Sequence, residues 1–126
     1  MPDMGTFRTT IAIENPLLRG TLLHIPDTLV DTGSELTWAP RMLLETLGIT
    51  RQKSLGFLIA DGRTVHRDIG YAIVHAGGTE TIDEVVFAEA GDMILLGARS
   101  LEGLNLRVDS RSKQLLDAGP IVAAVA

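Results

Sequence analysis

The sequence contains no cysteine among its 126 residues. That excludes disulfides, thiol catalysis and thiolate metal sites, and it leaves the redox compartment open, because a chain without thiols tolerates any of them. Lysine is scarce as well. Two lysines and nine arginines are scattered against 16 acidic residues, for a formal net charge of −5. No cationic stripe able to neutralise a phosphate backbone appears, so nucleic acid is not an expected partner. No uninterrupted apolar run approaches the ~18 residues that span a bilayer, and Met1 to Thr10 lacks the basic-then-apolar pattern of a secretory signal. The expectation is a soluble, cytoplasmic protein without a membrane partner. No internal repeat or low-complexity linker divides the chain, and its length is that of one ordinary domain, so residues 1–126 read as a single unit.

What is present is a core and a pattern of strands. With 45% of residues hydrophobic and 21% charged, the chain has the means to fill a compact interior. Short Val/Ile/Leu/Thr runs bounded by turn residues give a predominantly β reading. Thr6 to Glu14 is stopped by Asn15-Pro16 and resumes from Leu17 to Ile25, a hairpin; Pro26-Asp27 then punctuates before Thr28-Leu29-Val30. Pro40 to Leu47 carries Leu43, Leu44 and Leu47 at helical spacing, with proline at the first turn and Gly48 at the C-terminal end, which predicts one short helix. Leu55 to Ala60 and Thr64 to Val74 flank Asp61-Gly62, a dipeptide suited to a tight hairpin turn. Gly56, Gly62 and Gly70 would give that hairpin freedom to move. Gly77-Gly78 makes the next turn, and Ile82 to Ala88 returns as a strand. Met93 to Leu96 reads as a short buried strand closed by Gly97, Ala98 to Glu102 as a helical turn or two. Leu104 to Val108 and Gln114 to Leu116 bracket a polar turn at 109–113.

Chemistry concentrates in Leu29-Val30-Asp31-Thr32-Gly33-Ser34. An apolar strand delivers a carboxylate, and a glycine two residues later lets the backbone turn sharply. Asp-Thr-Gly followed by serine is in isolation ordinary turn chemistry. About sixty residues downstream, however, stands Ile94-Leu95-Leu96-Gly97, an apolar strand ended by glycine before a helical start. Order, spacing and motifs together resemble the retropepsin-like (retroviral-type) aspartic proteases, in their single-domain bacterial-type form, over roughly Thr6 to Asp109. The resemblance implies an all-β fold, a closed or partly open β-barrel with one or two short helices, forming half of a two-fold symmetric dimer. It implies that Asp31 is the catalytic carboxylate, that Thr32 and Gly33 complete its loop, and that Ala60, Asp61 and Gly62 lie near the tip of a flap.

One such loop per chain is half of what this chemistry needs, so the resemblance implies a homodimer acting on an extended polypeptide, with no cofactor and no metal. Thr32 would bond to the opposite loop and hold the two carboxylates coplanar. Ser34 departs from the alanine of the viral pattern and matches the serine of the pepsin-like one. Its hydroxyl is expected to donate to the charged carboxylate and so bring the working range to acidic pH. Glu35 and Arg99 either pair, as an acid and an arginine do near these positions in retropepsins although Arg99 is displaced by one residue, or stand as two solvated charges. Trp38 either packs on neighbouring strands or lines a substrate pocket. His24, His66 and His75 fall at no metal-ligand spacing. No Gly-x-Ser-x-Gly elbow or phosphate loop is present. The apolar tail, Ile121 to Ala126, would supply an interface strand, cover the core or remain mobile. Two rival readings stand beside the protease: a non-catalytic dimerisation or peptide-binding module of the same fold, and an unrelated ligand-binding barrel.

Overall fold

The computed structural model describes residues 7–123, most of them in strands, with two short helices. Strand β1 (Phe7–Asn15) alternates between partly buried and exposed residues at its start and is wholly buried from Ile11 on, where β2 and β5 hydrogen-bond to its two edges. Thr6, the expected start of this strand, lies outside the described residues. Asn15-Pro16 ends it: Asn15 Oδ1 accepts the Leu17 N–H and Asn15 Nδ2 donates to the Leu47 carbonyl, so one side chain both shapes the turn and anchors it.

Strand β2 (Leu18–Val30) returns antiparallel and corrects the sequence reading at Pro26-Asp27, which is a bulge within the strand rather than its end. Thr9 pairs with Thr28 and Ile11 with Ile25, so one β1 residue faces two of β2. Asp27 takes up the surplus at φ +53, its carbonyl accepting from Arg8 and the Ile25 carbonyl accepting from the Thr28 hydroxyl. The bend re-aims the last three residues of β2 toward the loop that follows.

After that loop come β3 (Thr37–Pro40) and α1 (Arg41–Thr46), the helix beginning after Pro40 and ending before Gly48 at φ +74, close to the expected limits. Then come β4 (Lys53–Leu58), β5 (Thr64–Ala76), β6 (Thr79–Ala88), β7 (Leu95–Leu96) and α2 (Ala98–Gly103). The two-residue β7 is shorter than the buried strand read over Met93 to Leu96, because Met93 is exposed in the irregular stretch that leads into it. The seven strands run in the order β1-β2-β7-β3-β6-β5-β4, and β1 pairs with β5 as well through Ala12 to Glu14. A separate hairpin, β8 (Leu106–Asp109) with β9 (Gln114–Asp117), completes the chain. Beyond it, Ala118 N–H is held by the Asn105 carbonyl, whereas Ile121 and Val122 stand exposed and do not cover the core. The end of the apolar tail, residues 124–126, lies outside the described residues.

Two apolar clusters fill the interior. The larger holds Ile11, Ile13, Val30, Leu44, Val74, Val85, Phe87 and Leu96 among others. The smaller, of Leu36, Trp38, Ile69, Val86, Ala88 and Leu95, receives Phe57 and Val65 from the β4–β5 hairpin. Burying a large aliphatic or aromatic side chain contributes about 1.5–3 kcal/mol, so the second cluster is a firm seat for whatever stands above it. Gly70 belongs to this packing and not to a flexible hinge: a Cβ there would come within 2.7 Å of the Thr50 carbonyl oxygen and 3.0 Å of the Phe87 ring.

Candidate functional site

Strands β2 and β3 flank the Asp31 loop, and both hydrogen-bond to β7, which fills the slot between them from far down the chain. Leu29 and Val30 pair in parallel with Leu95 and Leu96, while Trp38 pairs with Leu95 from the other side. The Asp31 N–H donates to the Leu96 carbonyl at 3.0 Å, which fixes the point where the loop leaves the sheet. Inside the loop, Ser34 N–H donates to the Asp31 carbonyl at 3.2 Å and Gly33 N–H to Asp31 Oδ1 at 2.9 Å. A backbone donor therefore orients the carboxylate. Ser34 does not serve that purpose: its hydroxyl donates to the Leu36 carbonyl at 3.0 Å, bracing the loop's own backbone, which corrects the expectation of a bond to the carboxylate.

The far side of the loop is held by the start of α2. Ala98 N–H donates to the Ser34 carbonyl at 2.7 Å and Arg99 N–H to the Glu35 carbonyl at 3.0 Å. Gly97 makes this possible, since a Cβ on it would lie 2.4 Å from the Leu36 carbonyl oxygen and 3.0 Å from that of Ser34. The glycine after the apolar pair is thus required for close approach of two backbones.

Beneath it runs a chain of hydroxyls that the sequence does not announce. Gly97 N–H donates to Thr37 Oγ1 at 3.0 Å, Thr37 and Ser100 share a 2.7 Å bond, and Ser100 Oγ donates to Asp83 Oδ2 at 2.9 Å. Thr37 and Ser100 are wholly buried, and a buried hydroxyl is tolerated when its donor and acceptor capacity is used in this way. The signal available was the pairing of hydroxyls within otherwise apolar segments, and nothing in local periodicity joins position 37 to position 100.

The hairpin of β4 and β5 rises over the same region. Its tip is a three-residue loop, Ala60 to Gly62, closed by Ile59 N–H to the Arg63 carbonyl and Gly62 N–H to the Ile59 carbonyl, both at 2.9 Å. Gly62 alone takes a left-handed φ, +89, so the turn is the longer type with a terminal glycine and not the two-residue Asp61-Gly62 turn. Asp61 caps it, bonding Arg63 through backbone and side chain, and these bonds hold its carboxyl below the usual carboxylate range.

Between tip and loop lies a cleft of about 890 Å³. Asp31, Gly33 and Ser34 line one side and Ala60 and Asp61 the other, so the structure brings together most of the residues the sequence singled out. Thr32 and Gly62 are not in its wall; Thr32 is exposed beside it. Trp38 satisfies both of its readings, being packed edge-on against Phe57 with ring centroids 5.1 Å apart and also reaching the cleft.

Five further charged residues line the cleft, Glu35, Asp61, Arg63, Arg67 and Asp92, and their pairing sets Asp31 apart. Asp61 is bound by Arg63, and Asp92 accepts two bonds from Arg67 at 2.7 and 2.9 Å. Glu35, 83% exposed, lies 3.7 Å from Arg99, whose closer partner is Glu84 at 2.8 Å. Of the two readings of Glu35 and Arg99 the pairing is present, but as the weaker arm of a relay in which Lys53 and Arg99 share Glu84, and the two cations, Lys53 first, keep that carboxyl low. Among the described residues no cation pairs with Asp31. No group of three or more His, Asp or Glu side chains among them has a metal-holding arrangement, and no helix is long and apolar enough to cross a membrane. His75 is taken up by Glu14, whose carboxylate it meets at 2.8 Å on the opposite side of the sheet. No protein-family model matches the chain, and no curated protein matches it either.

Proposed function

We propose that this chain is a retropepsin-like aspartic endopeptidase that works as a homodimer, with Asp31 its one catalytic residue per subunit. The observation that carries this reading is a cleft walled by a braced Asp-Thr-Gly loop and by the tip of a long hairpin, in which Asp31 is the carboxylate that no cation pairs with among the described residues. The sheet order, with β1 meeting β5 again beyond β6, supports a closed barrel from which β4 extends into the hairpin. Exposure of Thr32 and Gly33 on one subunit suits a loop that meets its copy across a two-fold axis.

Two Asp31 carboxylates about 3 Å apart cannot both ionise, so they hold one proton between them. The ionised member takes a proton from a water lying between the two as that water attacks the scissile carbonyl. The protonated member donates to the carbonyl oxygen, and the proton then passes to the departing amine. Gly33 N–H keeps its carboxylate aimed, the Gly97 brace keeps the loop from yielding, and the hairpin closes over an extended substrate, adding strand-like bonds and excluding water. The apolar wall of Leu36, Trp38, Phe57 and Leu95 suits apolar flanking residues.

The test is incubation with a denatured protein from acidic to neutral pH, with and without a pepstatin-type inhibitor, beside Asp31→Asn, with oligomeric state followed by sedimentation. Cleavage by a dimer, blocked by the inhibitor and abolished by the substitution at unchanged Tm, is the expected result. Dimerisation without cleavage identifies the non-catalytic module instead, and a monomer at all concentrations, or cleavage surviving Asp31→Asn, refutes the proposal.

A further inference from the structure

On its β5 side the hairpin over the cleft is fastened by an ion pair beside the packing of Val65. Arg67, opposite Leu55 in the β4–β5 register, reaches out of the hairpin to Asp92, with Nε on Oδ2 at 2.7 Å and Nη2 on Oδ1 at 2.9 Å, a two-pronged geometry. The pair is mostly shielded, at 19% and 15% side-chain exposure, where screening by solvent is weakest. Its far end is a rigid support. The 89–92 turn closes on itself through Asp92 N–H to the Glu89 carbonyl and Glu89 N–H to Asp92 Oδ2, and Glu89 is held in turn by Arg41 of α1 at 3.3 Å. From Arg67 outward only three register pairs, Gly56–His66, Phe57–Val65 and Leu58–Thr64, precede the tip. Apolar packing holds the outer portion as well, through the Phe57 edge on Trp38 and through Val65, which joins Phe57 against the second cluster.

We propose that the Arg67–Asp92 pair is a clamp that sets the outer hairpin's position over the cleft, with Arg67 a positioning residue for the polypeptide held beneath. The pair spans two structures that both wall the cleft, the hairpin and the turn leading into β7, so it fixes the width between them. With the clamp made, the hairpin's ordering is already accomplished before substrate arrives. Without it, that ordering is drawn from substrate binding and appears as weaker apparent affinity. The effect on cleavage rests on the protease reading; the effect on the hairpin does not.

The experiment therefore has two arms. Amide hydrogen exchange on the intact protein without substrate compares the wild type with Arg67→Ala and Arg67→Lys; the arginine is altered because Asp92 also shapes its own turn. Arg67→Ala is expected to raise exchange at residues 56–65 by about tenfold or more, with the β1–β2 ladder unchanged, and Arg67→Lys, which keeps the charge but not the fork, to fall between. Steady-state cleavage should then show KM raised about tenfold in Arg67→Ala with kcat within about threefold, and partial recovery of KM in Arg67→Lys. A purely structural loss would instead reduce the active fraction and hence kcat at constant KM. Unchanged exchange at 56–65 overturns the clamp whether or not the chain cleaves anything. Faster exchange in a chain that never cleaves leaves the clamp standing and removes the protease; cleavage with kcat reduced at constant KM removes Arg67 from substrate positioning.

Discussion

Replacing Gly97 by alanine probes the brace behind the Asp31 loop directly. Gly97 has φ −93 and ψ 174, extended backbone that alanine adopts without strain, so the whole effect is one of space. The added Cβ would sit 2.4 Å from the Leu36 carbonyl oxygen and 2.6 Å from its carbon, both main-chain atoms that no rotamer change removes. Restoring an ordinary carbon–oxygen separation of about 3.3 Å requires the two backbones to part by about 1 Å. That movement strains the Ala98-to-Ser34 bond of 2.7 Å and the Gly97-to-Thr37 bond of 3.0 Å. Overpacking costs about 1–3 kcal/mol, and a buried N–H drawn off its acceptor adds a cost of the same order, so a loss of about 2–4 kcal/mol is expected. At an unfolding entropy of about 2.1 cal/mol/K per residue, that corresponds to a fall in Tm of about 8–15 °C for a chain of this length. If the chain is the protease proposed above, a displacement of about 1 Å carried to the carboxylate would also lower cleavage about a hundredfold at temperatures where the variant remains folded. Circular-dichroism melts and initial rates on an unfolded protein substrate measure both. A Tm within about 2 °C of the wild type, with an unaltered rate, would refute the account of Gly97 as a point of enforced backbone contact.

Two further outcomes follow from the buried polar groups. Thr37→Val keeps the shape of the side chain but removes the acceptor for Gly97 N–H and the partner of Ser100, and should cost about 1–3 kcal/mol, read by denaturant unfolding; a loss below about 0.5 kcal/mol would contradict the hydroxyl chain. The Glu14 carboxyl is lowered from the ordinary 4.5 to about 2, chiefly by Gly20 N–H and, after the opposing effect of burial, by His75 and Arg19. Between those two values the unfolded chain binds the proton that the folded chain refuses. The stability this group provides is therefore complete above pH ~4.5 and lost as pH falls toward 2. Glu14→Gln should flatten the dependence of Tm on pH across that window, and an unchanged slope would show that Glu14 is not its source.

The strands, the first helix and the loop at Asp31 were legible because each is written locally: alternation or apolar runs, a proline before Arg41, a glycine after Leu47, an apolar pair ahead of Asp31. The hairpin around Asp61 was legible for the same reason, although a dipeptide does not distinguish a two-residue turn from a three-residue loop. Asp27 was misread because a turn-like pair inside a strand looks the same whether the chain stops or bulges; the register of β1 decides it. Ser34 was assigned the wrong acceptor because composition names a hydroxyl but not its direction, which follows from where Leu36 turns its carbonyl. Thr37 with Ser100 and Asp83, Arg67 with Asp92, and Glu14 with His75 are pairings across the sheet, and no repeat of 2 or 3.6 residues carries such information. Nothing in the sequence marks Glu14 for burial, which comes from β5, the second neighbour of β1.

The brace of the Asp31 loop also bears on vectorial synthesis. The atoms that finish the loop, the Leu96 carbonyl and the amides of Gly97, Ala98 and Arg99, are translated only after the hairpin and β6. A nascent chain that carries the acidic loop but not yet β7 and the start of α2 has no partner for it, so the loop's braced geometry cannot arise until those later segments have emerged.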